Sequence, residues 1–352
     1  MNLDLINLMD LNIAETEQLM QDIGEPKYRG RQLFKWVHQK GAVQFGEMTD
    51  LPRSLRDKLQ DSAAPGGLSV ITAKTSADGT TKYLFGLADG NAVESVFLPH
   101  DYGCSVCVSS QVGCRMGCRF CASTMEGLVR NLSAGEIYAQ VMGIQAKTGS
   151  RIDSVVMMGS GEPMDNLDEV LKFIALLTSP DGLNIGSRHL TMSTCGVVPG
   201  ILRLAEANNQ VTLSISLHAP NDEIRDRIMP INRKYSIAEL LRACRDYVLK
   251  TNRRVTFEYA LINGVNDSRE QAIELGRLLK GLLCHVNLIP LNQVEERAYK
   301  KPEPARVKEF KAALQALGIP VTVRKEMGGD IDAACGQLRR RVSGDQSVPG
   351  RR

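Results

Sequence analysis

From residue 102 onward the chain alternates short β-branched runs with amphipathic stretches of helical period, and few folds accept that pattern. Residues 155–158, 190–192, 211–217, 255–261, 286–289 and 321–323 read as strands. Helices fit residues 133–147, 166–177, 237–250, 268–280 and 304–317. The first of these opens with Ser133 three residues before Glu136, the signature of a capping box. A strand–helix–strand unit repeated about six times predicts a parallel sheet. The count falls short of eight. The expected fold is therefore α/β, a partial (β/α)6-type barrel with an open side.

The polar motifs of this region share one register. A cysteine-rich loop follows a predicted strand at residues 104–109, and Gly159-Ser160-Gly161-Glu162-Pro163 follows the next. Ser193-Thr194-Cys195-Gly196 follows the third, Ser216-Leu217-His218 ends the fourth, and residues 287–292 surround the sixth. All fall at C-terminal strand ends, the rim where β/α barrels carry their chemistry. A Gly-x-Gly turn alone is weak evidence. Five such motifs on one rim, beside a three-cysteine loop, point to a cofactor site.

That loop reads Cys114-Arg-Met-Gly-Cys118-Arg-Phe-Cys121. It offers three thiolates where a cubane iron–sulfur cluster usually takes four, which leaves one iron open to a small molecule. A rival reading takes Cys104, Cys107, Cys118 and Cys121 as a four-thiolate zinc site, at the cost of leaving Cys114 unused. Nine cysteines in 352 residues argue against a disulfide framework. The three-cysteine spacing resembles the signature of the radical S-adenosylmethionine (SAM) enzymes, in which SAM caps the fourth iron.

Composition sets wider bounds. Hydrophobic residues at 43% and charged residues at 24% describe an ordinary chain with a sizeable core. The first twelve residues carry acids and no Lys or Arg, unlike a signal peptide, and no apolar run is long enough to cross a membrane. With reduced thiols, this predicts a cytoplasmic location and no membrane partner. A net charge of +3 does not by itself announce a nucleic-acid partner. The run Lys27 to Lys40, with Arg29, Arg31, Lys35 and the lone Trp36, can contact phosphates and stack on bases. On sequence alone the favoured reading of this run is an amphipathic helix with a solvated basic face.

Residues 1–100 are expected to form an accessory domain, first short helices with Thr16 as a cap, then a β-hairpin turning at Ala88-Asp89-Gly90-Asn91. Residues 101–342 would form the barrel. Arg339, Arg340 and Arg341 make a second basic cluster, and residues 343–352 read as a disordered tail. Glu94 shares a strand face with Ala92, Val96 and Leu98, and periodicity does not say whether that face is buried. On residues alone a solvated Glu94, a structural His218 and a small packed Cys335 are the plain readings.

Longer motifs carry a closer resemblance. Residues 113–121, Met158-Gly-Ser-Gly-Glu-Pro163, Ser214-Ile-Ser-Leu-His-Ala-Pro220, His285-Val-Asn-Leu-Ile-Pro290 and Asp330-Ile-Asp-Ala-Ala-Cys335-Gly-Gln-Leu338 closely resemble the bacterial dual-specificity adenine-C2 RNA methyltransferases. These radical SAM enzymes modify 23S rRNA and tRNA. The resemblance implies one 4Fe-4S cluster on Cys114, Cys118 and Cys121. It implies SAM contacts at Gly161, Glu162, Ser193, Ser216, Leu217, His218 and Asn292. Adenine C2 is a poor nucleophile, so a thiolate is a more willing methyl acceptor from the sulfonium of SAM. By resemblance, Cys335 takes that methyl from one SAM, a second SAM yields a radical that removes hydrogen from it, and the carbon then joins C2. Glu94 is implied as the proton acceptor, and Cys107 as the partner that releases product by a disulfide with Cys335.

One departure is Cys195, which stands where relatives commonly have the second serine of Ser-Thr-Ser-Gly. Cys104, Cys244 and Cys284 are read as structural. The electron would come from a low-potential donor such as a flavodoxin-type protein. The target adenine must leave its stack, at an unpairing cost of a few kcal/mol. Gly328-Gly329 suggests mobility before Cys335. The nearest rival is a resistance-type relative that methylates C8, and a more distant one is a zinc-stabilised RNA-binding module without catalysis.

Overall fold

A computed structural model describes residues 5–207, 210–334 and 336–338. Cys335, Arg339, Arg340, Arg341 and the 343–352 tail lie outside the described residues. One ten-stranded sheet organises the molecule. Its strands are β1 (Ser69–Thr75), β2 (Thr81–Gly86), β3 (Ala92–His100), β4 (Gly103–Cys107), β5 (Ser154–Met157), β6 (Leu190–Thr194), β7 (Thr212–Ser216), β8 (Val255–Leu261), β9 (Cys284–Pro290) and β10 (Val321–Val323). Each strand pairs with its neighbours in sequence, so the spatial order is simply β1 to β10. From β4 onward every pairing is parallel, and β1 to β4 pair antiparallel.

Helices connect the parallel strands as expected. They are α4 (Ala134–Thr148), α5 (Leu167–Thr178), α6 (Val198–Glu206), α7 (Asp222–Ile228), α8 (Ile237–Thr251), α9 (Arg269–Leu279) and α10 (Pro304–Ala316). Six crossovers therefore join seven parallel strands. β10 does not pair with β4, so the barrel stays open on one side. The hairpin strands continue the same sheet across residue 100. In four of the parallel strands, β5, β6, β7 and β8, buried residues such as Val155, Met192, Ile215 and Phe257 meet the helices in one apolar core.

The segment before the sheet holds α1 (Ile13–Asp22), α2 (Tyr28–His38) and α3 (Arg53–Ser62). The cap of α1 is Asn12, which accepts from the Glu15 N–H while Glu15 reaches back to Asn12. Thr16 is instead inside the helix, buried, with its hydroxyl on the Asn12 and Ile13 carbonyls. The box Asn-x-x-Glu lies one turn ahead of the threonine and satisfies two orphan donors at once, which the threonine could not. The segment packs on the barrel through a shared core that includes Leu33, Phe34 and Tyr138. Asp10 accepts the Gly135 N–H at the start of α4, where a Cβ at 135 would meet the Asp10 backbone at 2.7 Å. The basic face of α2 is partly spent on this docking: Arg31 and Lys35 both pair with Asp181, at 2.6 and 3.2 Å.

Candidate active site

The barrel rim gathers the cysteine loop and the strand-end motifs around one cavity. Its lining includes Cys114, Cys118 and Cys121 together with Gly161, Glu162, Ser193, Ser216, His218 and Asn292. Leu217 is not among them. Its side chain is fully buried in the main core, and only its backbone stands near the site, donating to the Glu258 carbonyl and accepting from Arg225. A second, larger cavity of about 880 Å³ runs beside the first along the open face of the barrel. Met158, Ile289, Asn292 and Arg324 line both cavities and form the wall between them. Cys107 lines the second.

Local chemistry explains how each rim group is held. Gly161 has φ +108°, and a Cβ there would come within 2.8 Å of Ser110 and Gln111, so only glycine fits. Glu162 is buried, with one carboxylate oxygen taking the Cys195 N–H at 2.7 Å and the other the Met164 N–H at 3.0 Å. Burial holds its pKa above the usual carboxylate range despite those bonds. The side chains of Thr194 and Cys195 also bond this carboxylate, so its negative charge is held by four neighbouring groups at the cavity wall. His218 sits in the left-handed region at φ 56°, and its Nδ1 accepts the Ala260 N–H at 2.8 Å. The ring is therefore neutral and carries its proton on Nε2. Burial agrees, pushing its pKa down to about 3. Ser193 and Ser216 bring two hydroxyls within 3.4 Å of each other on adjacent strands.

The three thiols share one buried wall of the cavity. Burial pushes Cys114 up to about 12 and raises Cys118 and Cys121, and the thiolates would repel one another. A bound metal reverses that logic by deprotonating them outright. Among the described residues, no group of three or more His, Cys, Asp and Glu closes in as around a single ion. A cubane spreads its thiolates over three irons, so three cysteines on one cavity wall fit it. The zinc reading fails: Cys104 lies at the opposite end of β4 from the rim and Cys107 faces the other cavity. The described cysteines are all free thiols.

The segment bearing Cys335 is tied down on both sides of that residue. Before it, Ser76 bonds Asp330 at 2.5 Å, Asp78 accepts the Gly328 N–H at 3.0 Å, and Lys82 donates to the Asp332 carbonyl at 3.1 Å. After it, the Gly336 carbonyl accepts from Ala122, the Leu338 carbonyl from Ser123, and Gln337 reaches the Gln293 carbonyl. Ala122 and Ser123 directly follow Cys121. Gly328 stands at φ 65°, but its role here is a fixed turn against Thr80. Cys107 and Val96 pack with Ala333 and Leu338 in a small apolar cluster.

Glu94 lies on the same strand face as Val96 and is buried at 6% exposure, so the solvated reading does not hold. Lys82, its partner at 3.2 Å, also holds the Asp332 carbonyl. Glu94 thus sits beneath the Cys335 segment without lining either cavity.

Three groups at the site escaped sequence reasoning. Glu258 lines the cofactor cavity, 4% exposed, with Asn287 donating to it at 3.0 Å. Burial raises its pKa, and the charge of Arg324 works against that rise. Arg324 follows β10 on the rim and contacts the Met158 sulfur. Arg225 is buried beside Cys195. The signal for Glu258 was a lone carboxylate inside an apolar strand; Arg225 sits in a charged helix that gives no such mark.

Comparison with known proteins adds what geometry alone does not decide. Residues 108–276 match the radical SAM superfamily model, and residues 6–64 match the ribosomal RNA large subunit methyltransferase N-terminal domain. A probable dual-specificity RNA methyltransferase RlmN from Pelotomaculum thermopropionicum is 58% identical over 97% of this chain and 93% of its own length. The chain belongs to the RlmN-type RNA methyltransferases. A relative of the same description from Desulforamulus reducens is 54% identical over 97% of both chains. The crystal structure of a radical SAM methyltransferase from Sphaerobacter thermophilus superposes with a TM-score of 0.93 at 47% identity, covering 96% of this chain and all of the other. This RlmN-type chain is thus a transferase with the radical SAM fold, and its family uses a 4Fe-4S cluster and SAM. That finding excludes the non-catalytic zinc module.

Proposed function

We propose that the protein methylates C2 of an adenine in RNA through a methyl group carried on Cys335, consuming two SAM per turnover. The observation that carries this reading is the double tether of the Cys335 segment. Its flanks bond to the residues after Cys121, pack on Cys107, and rest on the Lys82–Glu94 pair. A cysteine so flanked has a SAM site on one hand and a resolving thiol on the other.

Cys114, Cys118 and Cys121 would hold the cluster, and when bound it supplies the electron that splits SAM reductively. Glu162 would receive the SAM ammonium, whose charge its buried carboxylate needs. Ser193 and Ser216 would meet ribose hydroxyls, and the His218 Nε2–H and Asn292 would face the remaining polar edges. Gly161 gives the ligand close backbone approach. Cys335 accepts a methyl group from one SAM, gives up one hydrogen atom of it to the radical fragment of the second, and joins C2 through carbon; the adduct's unpaired electron would pass back to the cluster. Glu94 takes the C2 proton. The Cys107 thiolate then attacks the Cys335 sulfur, forming a disulfide as the S–CH2 bond breaks, and the released carbon takes a proton to complete the methyl group. Substrates of both classes, 23S rRNA and tRNA, follow from the family resemblance, as does a low-potential donor of the flavodoxin type in the cytoplasm.

The test is anaerobic turnover of an RNA containing the target adenine, with iron-reconstituted protein, SAM and reductant, for wild type and Cys335→Ala. Nucleosides are read by mass spectrometry against 2-methyl- and 8-methyladenosine. The expected result is 2-methyladenosine, absent from the variant. An 8-methyl product would transfer the chain to the C8 chemistry; 2-methyl product from Cys335→Ala would remove the methyl-carrying cysteine.

A further inference from the structure

Arg225 on α7 is fully buried, and every group it bonds is neutral. Its Nε donates to the Leu217 carbonyl at 3.1 Å and its Nη1 to the Asn232 side-chain oxygen at 3.0 Å. Its Nη2 donates to the carbonyls of Cys195 at 2.6 Å and Ser216 at 3.2 Å. The carboxylates on its own helix turn elsewhere: Asp222 and Asp226 both accept from the far side of Asn232, at 2.9 and 2.7 Å. Asp222 also takes the Ile237 N–H. Hydrogen bonds are therefore satisfied, and among the described residues no carboxylate bonds the guanidinium, Asp222 acting on it only through space. A guanidinium does not shed its proton. Burying it without a counter-ion costs several kcal/mol.

The cysteine loop packs against the same helix. Cys118 packs in one apolar cluster with Cys195, Ile228 and Met229, and the Arg119 N–H bonds the carbonyl of Ile228 at the end of α7. The cluster loop thus rests on the helix that carries Arg225. A resting cubane with three thiolates has one net negative charge, and accepting an electron makes it two. The charge of Arg225 is felt at Cys118 against those of Cys114, Cys121 and Glu162, while Arg297 reaches the loop at Cys121, whose carbonyl it bonds.

We propose that Arg225 is the built-in counter-charge of the iron–sulfur cluster, favouring its reduced state while its guanidinium clamps the strand ends that present Cys195 and Ser216. It is a positioning residue with an electrostatic duty, since it reaches the reaction only through the cluster and these carbonyls.

The test is the midpoint potential of the reconstituted cluster, followed by electron paramagnetic resonance without RNA or SAM, for wild type, Arg225→Lys and Arg225→Met. It is independent of which carbon is methylated. A neighbouring positive charge stabilises the added electron, so Arg225→Met should lower the potential. The expected loss is about tenfold in reducibility, equivalent to about 59 mV for a one-electron couple. Arg225→Lys should stay close to wild type. An unchanged potential in the Met variant overturns the proposal, and so does an equal fall in both variants, which would assign the effect to hydrogen-bond geometry. Melting of the iron-free proteins supplies the second readout. A well-filled apolar replacement of a buried ion is often tolerated, so iron-free Arg225→Met should melt near wild type. If it does not fold, Arg225 is a structural clamp and the proposal falls. If it folds but fails to hold a cluster that the Lys variant holds, the charge requirement stands.

Discussion

The wall that carries Cys114, Cys118 and Cys121 and the segment that carries Cys335 meet at the same rim but are held there differently. The first is anchored to parallel strands: the cysteine loop follows β4, Glu162 follows β5, Ser193 lies in β6, and Ser216 ends β7. The second has only a 3-10 turn at Gly329–Ile331 and depends on side-chain bonds from Ser76, Asp78, Lys82 and Ser123. A rigid cofactor site can be built on sheet ends. If Cys335 serves two reactants as proposed, a strap held by separate side-chain ties suits it better than a sheet end would.

The largest effects should separate the two regions outright. Cys118→Ala should abolish both SAM cleavage and RNA methylation, read as 5′-deoxyadenosine and methyladenosine by mass spectrometry. Cys107→Ala should abolish release while SAM cleavage survives, leaving RNA bound covalently to the protein on a denaturing gel. If Cys107→Ala instead stops SAM cleavage, the two regions work as one and the contrast is lost.

Glu162→Gln comes next and tests the sheet-borne side. The neutral amide keeps the shape but loses a charge-assisted bond to the ligand, about 1.5–3 kcal/mol. SAM affinity should fall by roughly tenfold to a hundredfold, measured by calorimetry, with the apo-protein still folded. On the strap, Ser76→Ala removes one bond to Asp330, worth about 1 kcal/mol. It should slow methylation without changing SAM affinity, so a parallel loss of SAM binding would contradict independent anchoring.

This contrast also marks what was legible in the sequence. The parallel strands, and the order of motifs along their ends, follow from periodicity, because a period of two against 3.6 survives in local composition. α6 was not anticipated, since Val198-Pro199-Gly200 reads as a break, whereas proline at the first turn of a helix starts one. Arg225 and Arg324 look like surface charges in sequence, and only the packing of α7 buries the first while the end of β10 brings the second, half-buried, onto the cavity wall. The burial of Glu94 needed the third dimension too: its face is covered by residues more than two hundred positions away. The strap could be found only by motif resemblance, as it has no period to read.

Acid should act on the sheet-borne wall through His218. Its folded pKa, about 3, lies below the ordinary 6.5 because burial disfavours the cation. Between those values the unfolded chain binds a proton that the folded chain refuses. Stability from this group is complete above about 6.5 and is lost as pH falls toward 3. Melting temperature should therefore drop on acidification in this window, less steeply in His218→Asn. An equal pH slope in the two proteins would show that the ring titrates freely.

The smallest effect concerns α2, where two uses compete for the same charges. Arg31 and Lys35 are committed to Asp181, while Arg29 bonds only Gln32 and the Asp50 carbonyl. Arg31 and Lys35 face solvent, and each single change leaves the buried Asp181 its other partner, so Arg31→Gln or Lys35→Gln alone should barely move the melting temperature. If the helix also meets RNA phosphates, each lost cation weakens RNA binding at low salt and reduces the steepness of its salt dependence by about one unit. SAM cleavage should be untouched in either case. Should Arg29→Gln, Arg31→Gln and Lys35→Gln all keep wild-type RNA affinity at every salt concentration, α2 is a docking helix and no more, because a phosphate contact cannot lose its charge without releasing fewer counter-ions.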